Sequence, residues 1–178
     1  MGIVSSTAGH GGGNNGNDNN QHAQPDGDDQ DRPDDVSHSQ TLWILIFRGY
    51  PRDIQSARVT ELYIVFDDNE SKNLTIRIQG HYPNFVVDEV WNQPHPRTRP
   101  NYYRRLAVAT VETSSELDMG LRDAILGSHV NNTESDWTCQ SWVGDVLTTL
   151  QDAKLITVEE GDNALNGMVN YIARAPWQ

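Results

Sequence analysis

Cys139 is the only cysteine of the chain, and it opens a segment whose apolar residues repeat with helical spacing. Positions 139, 142, 143, 146, 147 and 150 share one helix face, which predicts a helix over residues 139–153 with Thr138 or Asp136 as its N-cap. Free backbone N–H groups and the helix dipole lower the pKa of a thiol in the first turn. The position is compatible with a cysteine nucleophile, but spacing alone favours a buried structural cysteine.

The strands that must position this helix are predicted between Thr41 and Val111. Leu74, Ile76 and Ile78 alternate with polar residues at 75, 77 and 79, which predicts a strand with one buried face. The turn-rich residues 67–72 predict a hairpin, and the prolines at 94, 96 and 100 predict a loop. The predicted strands span residues 41–47, 58–66, 73–79, 85–91 and 103–111.

Helical patterns follow the strands along the chain, over residues 115–126, 139–153 and 163–173. Strands first and helices later predict a single α+β domain over residues 41–178, in which an antiparallel sheet packs against helices. Trp137 and Trp142 are assigned to its apolar core or to a groove, because aromatic side chains dominate core burial. Trp91 and Trp177 lie outside the helical stripe and permit an apolar ligand groove.

Residues 1–40 differ in composition from the rest of the chain. They contain no Phe, Trp, Tyr or Leu and carry seven aspartates against one arginine, which predicts a disordered acidic tail. The opening Met-Gly-Ile-Val-Ser-Ser matches the pattern for myristoylation of Gly2, and one acyl chain gives only weak, reversible membrane binding. With no secretory signal and no run of about 18 apolar residues, we expect a cytoplasmic protein, and Gly2 leaves peripheral membrane association open.

The formal net charge of −12 argues against a nucleic-acid partner, which requires a concentrated basic surface. The nearest basic cluster consists of Arg97, Arg99, Arg104 and Arg105, and it is predicted to be a solvated edge. One cysteine excludes a site with several cysteine ligands, and the histidines of the tail are too scattered for a convincing metal site. We therefore expect neither a metal nor another cofactor.

Residues 138–143 read Thr-Cys-Gln-Ser-Trp-Val, follow a predicted strand hairpin and lead to Leu155 and Ile156. This arrangement resembles the circularly permuted papain-like domains of the lecithin:retinol acyltransferase and NlpC group. It is most similar to short fungal proteins whose cysteine helix reads Asn-Cys-Gln-x-Trp-Val. The resemblance covers residues 41–158 and implies a permuted papain-like fold. It also implies a base histidine opening the first hairpin strand and a second histidine on the return strand.

The chain departs from that pattern at both histidine positions. Placing the first hairpin strand on residues 61–66 puts Glu61 at the base position, and placing the return strand on 76–80 puts Arg77 at the second. A carboxylate supplies the wrong charge for activating a thiol, so we expect Glu61 and Arg77 to form a cross-strand ion pair. His81, just beyond the return strand, is the remaining candidate for a base.

Two classes of function follow from these residues. The departures favour a catalytically degenerate papain-like domain that acts as a binding or scaffold protein for another protein or a small apolar ligand. The alternative is a thiol hydrolase or acyltransferase with Cys139 as nucleophile and His81 as base.

Overall fold

The computed structural model describes residues 37–116 and 118–177, so the predicted tail up to residue 36 and the predicted acylation of Gly2 lie outside the described residues. Within these described residues, five β-strands come first and three α-helices follow, which confirms the predicted α+β class. The strands are β1 (His38–Phe47), β2 (Val59–Phe66), β3 (Asn69–Gln79), β4 (Val86–Trp91) and β5 (Tyr102–Thr113). The helices are α1 (Gly120–Leu126), α2 (Cys139–Asp152) and α3 (Val158–Ile172).

Strand β1 begins before the predicted end of the tail. His38 pairs with Thr113 of β5, so β1 starts three residues before Thr41, the predicted first residue of the strand. The cause is a polar start to the strand: Gln40 is almost fully buried, and its side-chain amide donates a hydrogen bond to the Asp118 carbonyl. Amino-acid composition alone does not reveal that a polar residue such as Gln40 is buried and hydrogen-bonded.

The sheet has the strand order β4-β3-β2-β1-β5, and every neighbouring pair is antiparallel. Strands β4 and β5 therefore lie at opposite edges and run in the same direction. Four strand spacings separate them by about 19 Å, a distance that the ten residues 92–101 span easily. These residues, which we call the strap, connect β4 to β5 across one face of the sheet.

The three helices cover the other face. Its core combines apolar residues of β1, β2 and β3 with the buried stripe of α2, and Trp142 has no exposed surface. The predicted stripe is confirmed for Trp142, Val143, Val146, Leu147 and Leu150. Each such side chain contributes about 1.5–3 kcal/mol when it is fully buried.

The helix starts show where local polar chemistry outweighs periodicity. Helix α2 begins as predicted, with Thr138 as N-cap in a capping box. Helix α3 begins at Val158, five residues earlier than predicted, because Thr157 and Glu160 also form a capping box. Helix α1 is shorter than predicted, since the Asp118 carboxylate accepts a hydrogen bond from the Gly120 N–H and a turn precedes the helix.

Candidate functional site

The thiol of Cys139 lies against the backbone at the start of β2. Its Sγ accepts a hydrogen bond from the Thr60 N–H at 3.5 Å and lies 4.0 Å from the Arg58 carbonyl oxygen. The next residue, Gln140, donates from its side-chain amide to the carbonyls of Gln55 and Arg58 at 2.8 and 2.9 Å. The N-terminus of α2 is thereby attached to the segment that enters β2, and the thiol takes part in that attachment.

His81 lies in the turn after β3, where Gly80 has a positive φ of 94°. Its own carbonyl accepts a hydrogen bond from the Asn84 N–H at 2.6 Å, and its side chain is exposed. Within residues 37–116 and 118–177, the partners of the Cys139 sulfur are backbone groups of Thr60 and Arg58. The structure therefore does not join His81 and Cys139 as a hydrogen-bonded pair.

Glu61 and Arg77, which the resemblance placed at the two histidine positions, lie on the face of the sheet away from Cys139. Neighbouring Leu62 and Ile76 face the helices and belong to the same core as Cys139. Because successive strand side chains point to opposite faces, Glu61 and Arg77 point towards the strap. The two positions that the resemblance assigns to histidines therefore do not face the thiol in this structure.

The predicted pairing of Glu61 with Arg77 is confirmed, but the Glu61 carboxylate is buried and the pair belongs to a larger ionic group. Glu61 Oε1 lies 3.4 Å from Arg77 Nη1, and Glu61 Oε2 lies 2.7 Å from Arg99 Nη2 of the strap. Arg77 also pairs with Asp88 of β4 at 3.0 Å. The Glu61 side chain is only 5% exposed, so its charge depends on both arginines.

On β2, the residue next to the thiol is Thr60. Its side chain is fully buried, and its hydroxyl has no hydrogen-bond partner among the described residues. A threonine hydroxyl donates and accepts hydrogen bonds but does not take up a proton at neutral pH. The β2 residue in contact with Cys139 thus supplies no general base.

A second ionic group lies on the strap face, around Glu70 of β3. Glu70 contacts Arg105 at 2.6 Å, Tyr63 at 3.1 Å and His95 of the strap at 3.9 Å. Burial raises the pKa of Glu70, but the hydrogen bond and charge of Arg105 outweigh it and hold the pKa below its ordinary value. The predicted solvated edge is therefore wrong for Arg99 and Arg105, which pair with Glu61 and Glu70.

A groove of about 420 Å³ lies between α2 and α3. Its apolar wall comes from α3 and the chain that follows it: Leu165, Met168, Val169, Ile172 and Trp177. Val169 is 51% exposed and Trp177 is 82% exposed, although both are large and apolar. Trp137 and Trp142 belong to the core rather than to this groove, and the Trp137 indole N–H donates to the Asp145 carboxylate at 2.9 Å.

Comparison with protein-family models, curated proteins and solved structures finds no match for the chain. Over residues 37–116 and 118–177, no cluster of three or more His, Cys, Asp and Glu side chains is placed to hold a metal ion. None of the helices in this part of the chain combines the length and apolar character needed to cross a membrane. The class that the fold defines is α+β, with an antiparallel sheet, three helices and a strap.

Proposed function

We propose that this chain is a non-catalytic binding domain of the permuted papain-like kind, which takes a small apolar ligand in the groove between α2 and α3. The observation that carries the proposal is the environment of Cys139. Its sulfur contacts backbone groups of β2, and the β2 side chain beside it is Thr60. A cysteine nucleophile needs a base or a cation to form a thiolate at neutral pH, and these contacts supply neither.

The groove favours an apolar ligand because its amide side chains already have partners. Gln140 donates to the carbonyls of Gln55 and Arg58, and the Gln55 amide donates to the carbonyls of Ala173 and Ala175. The contacts left for a ligand come mainly from the apolar wall. A volume of about 420 Å³ lies within the range of about 300–1,000 Å³ that is usual for small-molecule sites.

A neutral apolar dye, Nile red, tests the groove. We expect its fluorescence to rise saturably with the wild-type protein, and Val169→Lys to weaken its binding about tenfold or more by placing a charge in the apolar wall. Val86→Lys is the matched control, because Val86 is 58% exposed on β4 and lies outside the groove. Equal binding by Val169→Lys and Val86→Lys would refute the groove as the ligand site.

The alternative function, a thiol hydrolase or acyltransferase, is tested with an activated ester and intact-protein mass spectrometry. We expect no acyl adduct on Cys139 during incubation at neutral pH. An adduct on the wild-type protein that disappears in His81→Ala would overturn the non-catalytic proposal and establish Cys139 and His81 as a catalytic pair.

A further inference from the structure

Arginines from separate parts of the chain gather around two tyrosine rings near the end of α3. We call this group the arginine–tyrosine cluster; it consists of Arg48, Arg58, Arg104, Arg174, Tyr103 and Tyr171. The two rings meet edge to face with their centroids 6.2 Å apart. A concentration of cations is unexpected in a chain whose formal net charge is −12.

The Tyr103 side of the cluster is largely explained by packing. Arg58 lies 4.3 Å from the centre of the Tyr103 ring, forms a two-pronged ion pair with Asp53 at 2.8 and 2.9 Å, and donates to the Tyr171 carbonyl. Such a contact suits the carbonyl end of a helix, which attracts cations. Arg58 is buried and fully partnered, and it holds the end of α3 against the sheet.

On the Tyr171 side of the cluster, the arginines have no carboxylate partner comparable to Asp53 among the described residues. Arg104 and Arg174 lie 5.0 and 4.4 Å from the centre of the Tyr171 ring, and Arg104 also donates to the Tyr171 hydroxyl at 3.0 Å. Both arginines are exposed, and neither forms an ion pair within the described part of the chain. Two positive charges therefore converge on one phenol.

The phenol itself responds to these charges. The hydrogen bond from Arg104 lowers the pKa of Tyr171, burial opposes this shift, and the charges of Arg104 and Arg174 add to the lowering. The local potential at the Tyr171 hydroxyl is therefore positive. An anion placed there would remove the repulsion between the two guanidinium groups.

We propose that Arg104 and Arg174, together with the Tyr171 hydroxyl, bind the phosphate group of a small soluble ligand. Guanidinium groups match the geometry of phosphate oxygens and form charge-assisted hydrogen bonds with them. The Tyr171 hydroxyl, which accepts a hydrogen bond from Arg104, can donate its own proton to a phosphate oxygen. This site is separate from the apolar groove and does not depend on the function proposed for it.

A soluble phosphate source is favoured over a lipid headgroup because of the charge of the rest of the chain. The electrostatic potential of two arginines falls off within a Debye length of about 8–10 Å. A small ligand in direct contact with them lies entirely within that distance. An anionic membrane surface extends far beyond that distance and would face a chain of net charge −12.

Isothermal titration calorimetry with phenyl phosphate tests the site in the full chain. We expect saturable binding, weakened about tenfold or more by Arg104→Gln and by Arg174→Gln, because each removes a hydrogen bond to a charged group. Arg97→Gln is the matched control: Arg97 is also exposed, lies in the strap and loses the same charge. An equal loss in Arg97→Gln, or the absence of saturable binding by the wild-type protein, would overturn the proposal.

Two further measurements locate the ligand and its source. Phenyl phosphate is expected to raise the pKa of Tyr171 in a spectroscopic titration, since the bound anion offsets the two arginines; no change on binding would place the ligand elsewhere. Nile red at a saturating concentration, being neutral, is expected to leave the phosphate affinity unchanged, which separates this site from the groove. Binding to phosphatidic acid vesicles but not to phenyl phosphate would refute a soluble ligand and identify a membrane headgroup.

Discussion

The two faces of the sheet are buried by different means. On one face, helices with apolar stripes pack against a continuous apolar core. On the other, the strap covers a small cluster formed by Leu45, Phe47, Tyr63 and Val65, the buried ionic group of Glu61 and the partly exposed ionic group of Glu70. Residues 92–101 contain no Ala, Val, Leu, Ile, Met, Phe, Tyr or Trp, so the strap shields the sheet with arginine, and Arg99 lies 4.5 Å from the centre of the Phe47 ring. The helices bury their face of the sheet with apolar side chains. The strap covers the other face with charged side chains, each of which needs an oppositely charged partner.

The largest effect is expected on the helix face. Trp142→Ala removes the largest fully buried side chain and is expected to lower the free energy of unfolding by about 3–5 kcal/mol, measured by urea denaturation. Cys139→Ala, in the same helix, should cost far less because only a sulfur atom is lost. Equal losses would mean that the contacts of Cys139 with Thr60 and Arg58 hold α2 in place more firmly than its apolar stripe.

A smaller but substantial effect is expected on the strap face. Glu61→Ala leaves Arg77 and Arg99 without their shared carboxylate and is expected to cost about 3 kcal/mol, because an unpaired charge then remains in a largely buried site. Arg77→Gln should cost less, since Glu61 keeps Arg99 and Arg77 is 29% exposed. A loss below about 1 kcal/mol for Glu61→Ala would show that the strap face behaves as an exposed surface.

The smallest effect is expected on the stability of the protein at low pH. The pKa of Glu70 in the folded protein is lower than its ordinary value of 4.5, so its pairing stabilises the fold above about pH 4.5 and is lost as the pH falls further. Glu70→Gln is expected to remove part of this acid dependence, by less than about 1 kcal/mol because Glu70 is 39% exposed. Denaturation of both proteins at about pH 7 and about pH 3 measures it. An unchanged difference between the two pH values in Glu70→Gln would exclude Glu70 as its source.

Much of the helix face was predictable because it obeys regular spacing. The alternation at Leu74, Ile76 and Ile78 and the stripe that begins at Cys139 both predicted buried faces that the structure contains. The early start of α3 was also legible in the capping box of Thr157 and Glu160, whose spacing is a known helix signal. The helical periodicity of residues 163–173 placed the predicted start of the helix too late.

The strap face was not predictable in the same way. The strand order that sends residues 92–101 across the sheet depends on which strand pairs with β1, and no local pattern specifies this. The alternation of strand side chains did predict one part of this face. Glu61 and Arg77 are adjacent in sequence to Leu62 and Ile76, which face the core, so Glu61 and Arg77 must point to the other face. The arginine–tyrosine cluster was not predictable for a related reason, because its residues are far apart in sequence and only the complete fold brings them together.

The strand order also sets the sequence in which the sheet can form during synthesis. Strand β1 leaves the ribosome before the other four described strands, and Ile44 pairs with Leu62 on one side but with Leu106 on the other. One edge of β1 therefore has no partner until the whole of β2, β3, β4 and the strap has been made. An apolar strand with an open edge is a template for association between chains. The strap, by delivering β5 to that edge, ends the period in which the growing chain is most open to aggregation.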